Sequence, residues 1–336
     1  MKTPRILLFS LLILLLLAAG IGLAADQIAY PSIPVNQSDT STTVVHIEFP
    51  FMNDTVRAEI TLNLAPYYGA TTEGVKVTPL IGCLPDRYYS EIAYDPAQDQ
   101  MYAELFTVFN TYAGEHNLTN DEYVELLTTY VQNIPYKTSE TEIKFPIETV
   151  IQNWGDCDDK SILLAGLLAK KEYNAGVFVF EEDHHMAAGV KAGDQTEYKN
   201  SGYSIIETTR YAYIGEEPAL ILNQTTGKFV LYMVGEGTIS YTASYQVGTI
   251  LDTREQAYAE VEALYDEMSA LSLEIENQEI SLKQSWSMPG YLVYKENLAA
   301  YNTGVAARNE YIELITTINS GSYNREEIYQ TVISMR

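Results

Sequence analysis

The chain has 336 residues and carries 45 acids against 20 lysines and arginines, a formal net charge of −25. Such a surface repels nucleic acid and anionic lipid headgroups and so argues against both as partners, while fitting a soluble extracellular face. The length suffices for a sizeable core in two or three units.

Lys2 and Arg5 precede Ile6–Ala25, a leucine-rich stretch of twenty residues without a charge. That length can span a bilayer, and the basic flank keeps the N-terminus inside, which puts Asp26 and everything after it outside. Gly22-Leu23-Ala24 also offers small residues at cleavage positions. The segment therefore reads as a signal peptide or an uncleaved signal anchor, and its length favours the anchor. Gln27–Ser41 is polar, with Pro31 and Pro34, and reads as a linker. Thr42–Phe51 and Val56–Leu64 alternate in strand fashion around Met52-Asn53-Asp54, the pattern of a hairpin. Asn36, Asn53, Asn117 and Asn223 each head an N-x-Ser/Thr sequon, consistent with export. Residues 65–100 show no clear period. Met101–Ala113 and Asp121–Asn133 are predicted helices; in the second, Tyr123, Leu126, Leu127, Tyr130 and Val131 share one face, the mark of core packing. Pro135 and Tyr136 end it, and Pro146 leads into Ile147–Gln152.

The next stretch carries the chemistry. Trp154-Gly155-Asp156 is a turn signal, Asp156 or Asp158 can cap a helix, and Ile162, Leu163, Gly166 and Leu167 recur at helical spacing up to Lys170 and Lys171. Cys157 thus falls at a helix N-terminus, where backbone N–H groups and the dipole favour a thiolate and can bind an oxyanion. Asp156, Asp158 and Asp159 oppose this, because like charge disfavours a thiolate. Val177–Phe180 is an apolar run fit for a buried strand, the acidic turn Glu181-Glu182-Asp183 ends it, and His185–Val190 and Tyr203–Thr208 follow as strands. A thiol nucleophile needs a base and a group that orients the base, and Cys157, His185 and Glu207 supply those roles in chain order. Adjacent residues of a strand face opposite ways, so only one of His184 and His185 can face Cys157. Trp154 and Gln152 are candidate donors to the oxyanion. A rival reading takes Asp156, Asp158, Asp159, His184 and His185 as metal ligands. The twelve-residue calcium-loop spacing fails, since Leu167 stands where the terminal Glu would be. No metal and no cofactor is expected.

GDCDDKSILLAGLL, HMAAGV and IIETT resemble the three signature blocks of transglutaminase-like proteins of the cysteine-protease fold, closest to their archaeal membrane-anchored and secreted branch. YVQNIPY before and IGEEP after the blocks are similar too, and the likeness covers roughly residues 120–220. The resemblance implies a papain/transglutaminase-like core, with Cys157 as nucleophile, His185 as base and Glu207 as orienting acid, and an acyl-transfer mechanism through the thiol. Glu207 departs from the Asp more usual in the third block by one methylene. The two cysteines, Cys83 and Cys157, can pair in an oxidising compartment; a nucleophilic Cys157 requires instead that Cys83 be an unpaired, buried thiol.

Lys228–Val234 and Thr238–Tyr245 read as paired strands joined by Gly235-Glu236-Gly237. From about Asp252, Val261, Leu264, Met268, Leu271, Ile275, Gln278 and Leu282 follow heptad spacing. Met288-Pro289-Gly290 breaks the run, and Tyr294, Leu298, Tyr301, Val305, Arg308, Ile312, Ile315 and Asn319 resume it. This is an antiparallel helical hairpin or coiled coil, packed on itself or self-associating. Ser320-Gly321-Ser322 separates a short helix, Glu326–Ser334. The expected organisation is a membrane or signal segment (1–25), a β-containing region (26–100), an α+β transglutaminase-like domain (101–250) and a helical hairpin (251–336). The expected function is a thiol acyl-transferase or hydrolase, protease- or amidase-like, acting outside the cytoplasm on peptide or isopeptide amides of a surface protein. The alternative is a non-catalytic surface scaffold or binding module. The chain would be anchored to the membrane by its N-terminal helix, or secreted, with no nucleic-acid partner.

Overall fold

Strict alternation builds the first pair of strands. In β1 (Thr42–Phe51) the side chains of Val45, Ile47, Phe49 and Phe51 are buried, and in β2 (Asp54–Asn63) those of Val56, Ile60 and Leu62. The two strands pair antiparallel without a break from Thr42↔Asn63 to Phe51↔Asp54. The loop is only Met52-Asn53, with Met52 at φ 53°, so the second strand starts two residues before Val56. This computed structural model describes residues 30–73, 87–138, 143–192, 197–218 and 228–335. Ile6–Ala25, Cys83 and the Asn223 sequon lie outside them. Among the described residues no helix is long and apolar enough to cross a membrane. From Tyr30 onward the expected linker is packed against the protein: Ile33 is buried and its N–H donates to Asp95 Oδ2 at 2.8 Å.

The stretch without a period holds α1 (Leu64–Tyr68), a π-type turn at Gly69–Glu73 and α2 (Tyr88–Tyr94). Two long helices follow, α3 (Asp99–His116) and α4 (Asn120–Asn133). Thr119 and Glu122 form a reciprocal capping box at the start of α4. The apolar stripe expected on α4 is buried, but so is every other side chain from Tyr123 to Gln132. One side meets β1 and the other meets the helix that carries Cys157. A helix covered on two sides has no solvent face for the pattern to report.

After α5 (Pro146–Gln152) comes α6 (Cys157–Lys170), buried from Asp159 to Leu168. Four strands, β3 (Asn174–Phe180), β4 (His185–Lys191), β5 (Tyr203–Ile206) and β6 (Val230–Glu236), make an antiparallel sheet in the order β5-β4-β3-β6. Helix α6 covers one face through Val177, Ala188, Val190 and Ile206. Phe178, Phe180, Ala187, Tyr198, Tyr203 and Ile205 form a second apolar cluster on the other face. Gly189 is required there, since a Cβ would lie 2.6 Å from the Phe178 ring.

The strand expected over Thr238–Tyr245 does not form, so Gly235-Glu236-Gly237 is not a hairpin turn. The chain instead crosses the sheet end: Ile239 hydrogen-bonds to Glu172 and Asn174, and the Tyr241 N–H donates to the Lys191 carbonyl. Bridging two different strands leaves no continuous ladder. The helical region is α7 (Ser244–Gln284), α8 (Met288–Ser320) and α9 (Arg325–Ser334). It begins earlier than Asp252, and the break falls at Ser285–Ser287 rather than Met288-Pro289-Gly290. Pro289 lacks only an N–H that the first helical turn does not use, and the Ser287 hydroxyl accepts the Gly290 N–H at 3.2 Å. The seam of α7 against α8 follows the expected heptads out to Arg308. Nearer the core, Leu314, Ile315 and Ile318 are buried and Ile312 is 37% exposed, because there α8 packs against the core as well as α7.

Candidate functional site

Antiparallel pairing brings the start of β4 and the end of β5 to the same edge of the sheet. The register runs Lys191↔Tyr203 to Ala188↔Ile206, so Glu207, one residue past β5, stands diagonal to His185, the first residue of β4. Diagonal neighbours share a face. His184, exposed at φ 48°, turns the chain out of the acidic turn and into β4. His185 then faces the same side as Phe180, and its ring stacks on that phenyl with centroids 6.3 Å apart.

His185 Nε2 and Glu207 Oε2 are 3.2 Å apart, with the two side chains 2% and 3% exposed. The separation is that of an ion pair, and the ring N–H is not aligned for a linear hydrogen bond. Glu207 is fixed from its other oxygen: Oε1 accepts from the Thr209 N–H at 2.7 Å and the Thr209 hydroxyl at 2.8 Å. Its own carbonyl accepts from Gln132 Nε2 at 2.8 Å. Burial works to raise the Glu207 carboxyl, but His185 and the Thr209 donors outweigh it and hold it at about 2.

Cys157 begins α6. Asp156 is the N-cap and exchanges hydrogen bonds with Asp159, a capping box built of two aspartates. The turn before it is held by the 135–137 segment: the Gly155 N–H donates to the Pro135 carbonyl, and the Lys137 N–H to the Gly155 carbonyl. A Cβ on Gly155 would meet Asp159 Cβ at 2.9 Å, which accounts for the glycine. The helix is tied to the sheet through the Ser161 hydroxyl, 3.2 Å from the Met186 carbonyl and 3.1 Å from Thr208 Oγ1. The Cys157 sulfur accepts from the N–H of Met186, the residue after His185. Nucleophile candidate, imidazole and carboxylate thus gather at one edge of the sheet, the sulfur on the helix side and the His185–Glu207 pair on the other.

Burial and then the Asp158 carboxylate push the Cys157 thiol up to about 12, although the Met186 N–H opposes the shift. The same crowding raises two of the acids, Asp156 to about 7 through burial and Asp158, and Asp159 to about 6 through burial and Asp156. Carboxylate oxygens of Asp156, Asp158 and Asp159 lie within 4.8 Å of one another. Neither histidine joins them: His184 is exposed and His185 faces Glu207. Asp159 is engaged by the backbone N–H of Lys144 at 2.8 Å and by its ammonium at 3.4 Å.

Of the two oxyanion candidates, Gln152 is engaged through its side-chain amide and Trp154 through its carbonyl and ring face. The Gln152 amide donates to Tyr67 Oη at 3.3 Å. The Trp154 carbonyl accepts from Lys144 Nζ, and Lys144 and Lys137 lie over its ring. Comparison with family models, with curated proteins and with solved structures finds no match.

Several residues that build the site were not singled out by sequence reasoning. Thr209 had a local signal, since a Glu followed two residues on by Thr can close a side-chain-to-backbone turn. Gln132, Ser161 and Lys160 had none. Lys160 is fully buried, donates to the Gln132 and Ile134 carbonyls, and sits low, at about 8, because burial outweighs the field of Glu207.

Proposed function

We propose that this chain is a thiol acyl-transferase or hydrolase, protease- or amidase-like, built on a transglutaminase-like core. It acts outside the cytoplasm on peptide or isopeptide amides, tethered by Ile6–Ala25 or released. The observation that carries the reading is the buried His185–Glu207 pair, clamped by Thr209, at the sheet edge where the Cys157 sulfur meets the Met186 N–H.

With Nε2 turned to Glu207, Nδ1 is the nitrogen left to take the thiol proton, once the His185 ring turns from the Phe180 side of the sheet edge towards Cys157. As the Cys157 S–C bond forms on the amide carbonyl, the proton passes to His185, and the Cys157 N–H at the helix start holds the oxyanion. The C–N bond then breaks, His185 returns the proton to the departing amine, and a thioester remains. Water or a second amine attacks that thioester, with His185 again taking the proton and the sulfur leaving. Glu207 fixes the tautomer and stabilises the imidazolium.

A thiol raised to about 12 favours a second reading, a scaffold without catalysis. General-base transfer answers it, because the proton leaves during attack and no resting thiolate is needed. The test is turnover of fluorogenic peptide and isopeptide amides together with mass-spectrometric trapping of the thioester. Cys157→Ala should abolish both, and His185→Ala should slow turnover about 100-fold or more. A Cys157→Ala variant that turns substrate over at the wild-type rate ends the enzyme reading. Ligand binding without turnover in either protein establishes the scaffold.

A further inference from the structure

We propose that the tip of the α7–α8 hairpin docks on the interfacial layer of a lipid bilayer, a property independent of the Cys157 chemistry. Trp286 lies in the bend, Met288, Tyr291, Leu292 and Val293 follow in the first turns of α8, and Ile280 lies in the last turns of α7. All six are exposed, Trp286 at 65% and Leu292 at 55%. Patches of this kind on a soluble surface mark contact sites. A second exposed group on the arm, Tyr265 and Leu273 beside Met268 and Tyr301, lies along the flank of the hairpin and is interleaved with Ser269 and Ser272.

The composition selects the partner. Tryptophan and tyrosine concentrate at the membrane–water boundary, with aliphatic side chains reaching just beneath it. Between Glu279 and Glu296 the chain has no carboxylate and two lysines, Lys283 and Lys295, although it carries 45 acids in all. Their long stems can lie along apolar surface while the ammonium groups reach lipid phosphates. Lys283 is 3.8 Å from Glu279 and largely exposed, a pair weak enough for the lysine to exchange partners. At the tip only three residues, Ser285–Ser287, join the two helix ends. A second copy is disfavoured, because a two-fold contact would set these lysines against their own counterparts.

Long-range repulsion does not prevent this docking. A helix of the length of α8 spans about 50 Å, while salt screens charge over about 8 Å under physiological conditions. The acidic core is therefore electrostatically remote from a bilayer touched by the tip.

The experiment uses the full chain with vesicles of brominated phosphatidylcholine, with and without phosphatidylglycerol. Protein binding is measured by flotation. Tryptophan emission of the Trp286→Phe variant is subtracted from that of the wild type, which isolates Trp286 from Trp154. Trp286 emission should shift to the blue and be quenched by bromine. Lys283→Glu with Lys295→Glu should weaken the quenching on phosphatidylglycerol vesicles about tenfold or more. The proposal is overturned if Trp286 emission is unchanged on vesicles that carry the chain. It is equally overturned if the shift occurs without lipid, as the chain self-associates in sedimentation or binds a soluble protein.

Discussion

A thiol at a helix N-terminus is ordinarily acidified by the dipole; Cys157 has the N-terminus but also Asp158 beside it. Its alkylation rate, followed at the peptide level to separate it from Cys83, should keep climbing with pH towards about 12 instead of levelling near the usual thiol value of 9.0. Asp158→Asn removes the second-largest cause of the rise. It should speed alkylation at about pH 8 some three- to tenfold, the effect of half to one pKa unit; an unchanged rate would mean that the carboxylate does not reach the sulfur. Asp156 gives a second test. Its folded value, about 7, lies above the ordinary 3.8 because burial and Asp158 disfavour the anion. The folded state therefore holds a proton that the unfolded state has lost, and stability falls as pH rises from about 4 through 7. Asparagine caps a helix equally well. Asp156→Asn should stabilise the protein by on the order of 1 kcal/mol at about pH 8, a figure reduced for partial exposure, and by nothing near pH 4. A gain that does not depend on pH in thermal unfolding would assign the effect to something other than charge.

Elements whose signals are local were legible in the sequence. The β1–β2 hairpin follows from alternation. Asp156 and the apolar period fix α6, and the Glu181-Glu182-Asp183 turn separates β3 from β4, so the helix that begins at Cys157 and the strands that carry His185 and lead to Glu207 could be drawn in advance. What failed depended on distant partners. Burial of α4 on both sides reflects β1 and α6, and 238–243 abandons its hairpin because the chain reaches Glu172, Asn174 and Lys191. The Gln132 contact to the Glu207 carbonyl joins residues 75 apart. The contact of Arg325 with Glu125 spans 200 residues at 2.5 Å and has no local signature. That buried pair, with Tyr241 Oη donating to Glu125 at 2.7 Å, ties α9 to α4. Arg325→Met leaves the Glu125 carboxyl without its counter-charge and should cost about 3–5 kcal/mol in denaturant unfolding. Adding Glu125→Gln, which keeps an acceptor for Tyr241, should recover most of that loss. A double variant no better than the single one would show that packing by the arginine stem, rather than charge pairing, holds α9.

At the scale of the whole molecule the core and the arm differ in what keeps them folded. Val247, Ile250 and Ala257 on α7 and Leu314, Ile315 and Ile318 on α8 are buried at the arm's base, and Tyr213 Oη donates to the Ile318 carbonyl at 2.8 Å. From residue 258 to residue 313 no side chain is fully buried. The seam there also contains Gln278 Oε1 and Arg308 Nε, both enclosed without a hydrogen-bond partner, each a cost to the closed seam that opening relieves. Opening free energy follows buried apolar contact, so the outer arm should open well below the energy that unfolds α6. Hydrogen exchange read by mass spectrometry should find the amides of 262–308 exchanging at least about 100-fold faster than those of Ile162–Leu168, with protection rising towards both ends of the base. Arg308→Leu replaces an unsatisfied polar group by an apolar one at a seam position. It should slow exchange in the outer arm while leaving the unfolding midpoint of the core where it was, since the two openings share only the base. Equal protection along the whole of α7 and α8, lost together with that of α6, would instead make arm and core one cooperative unit, and Arg308→Leu would then move the global midpoint.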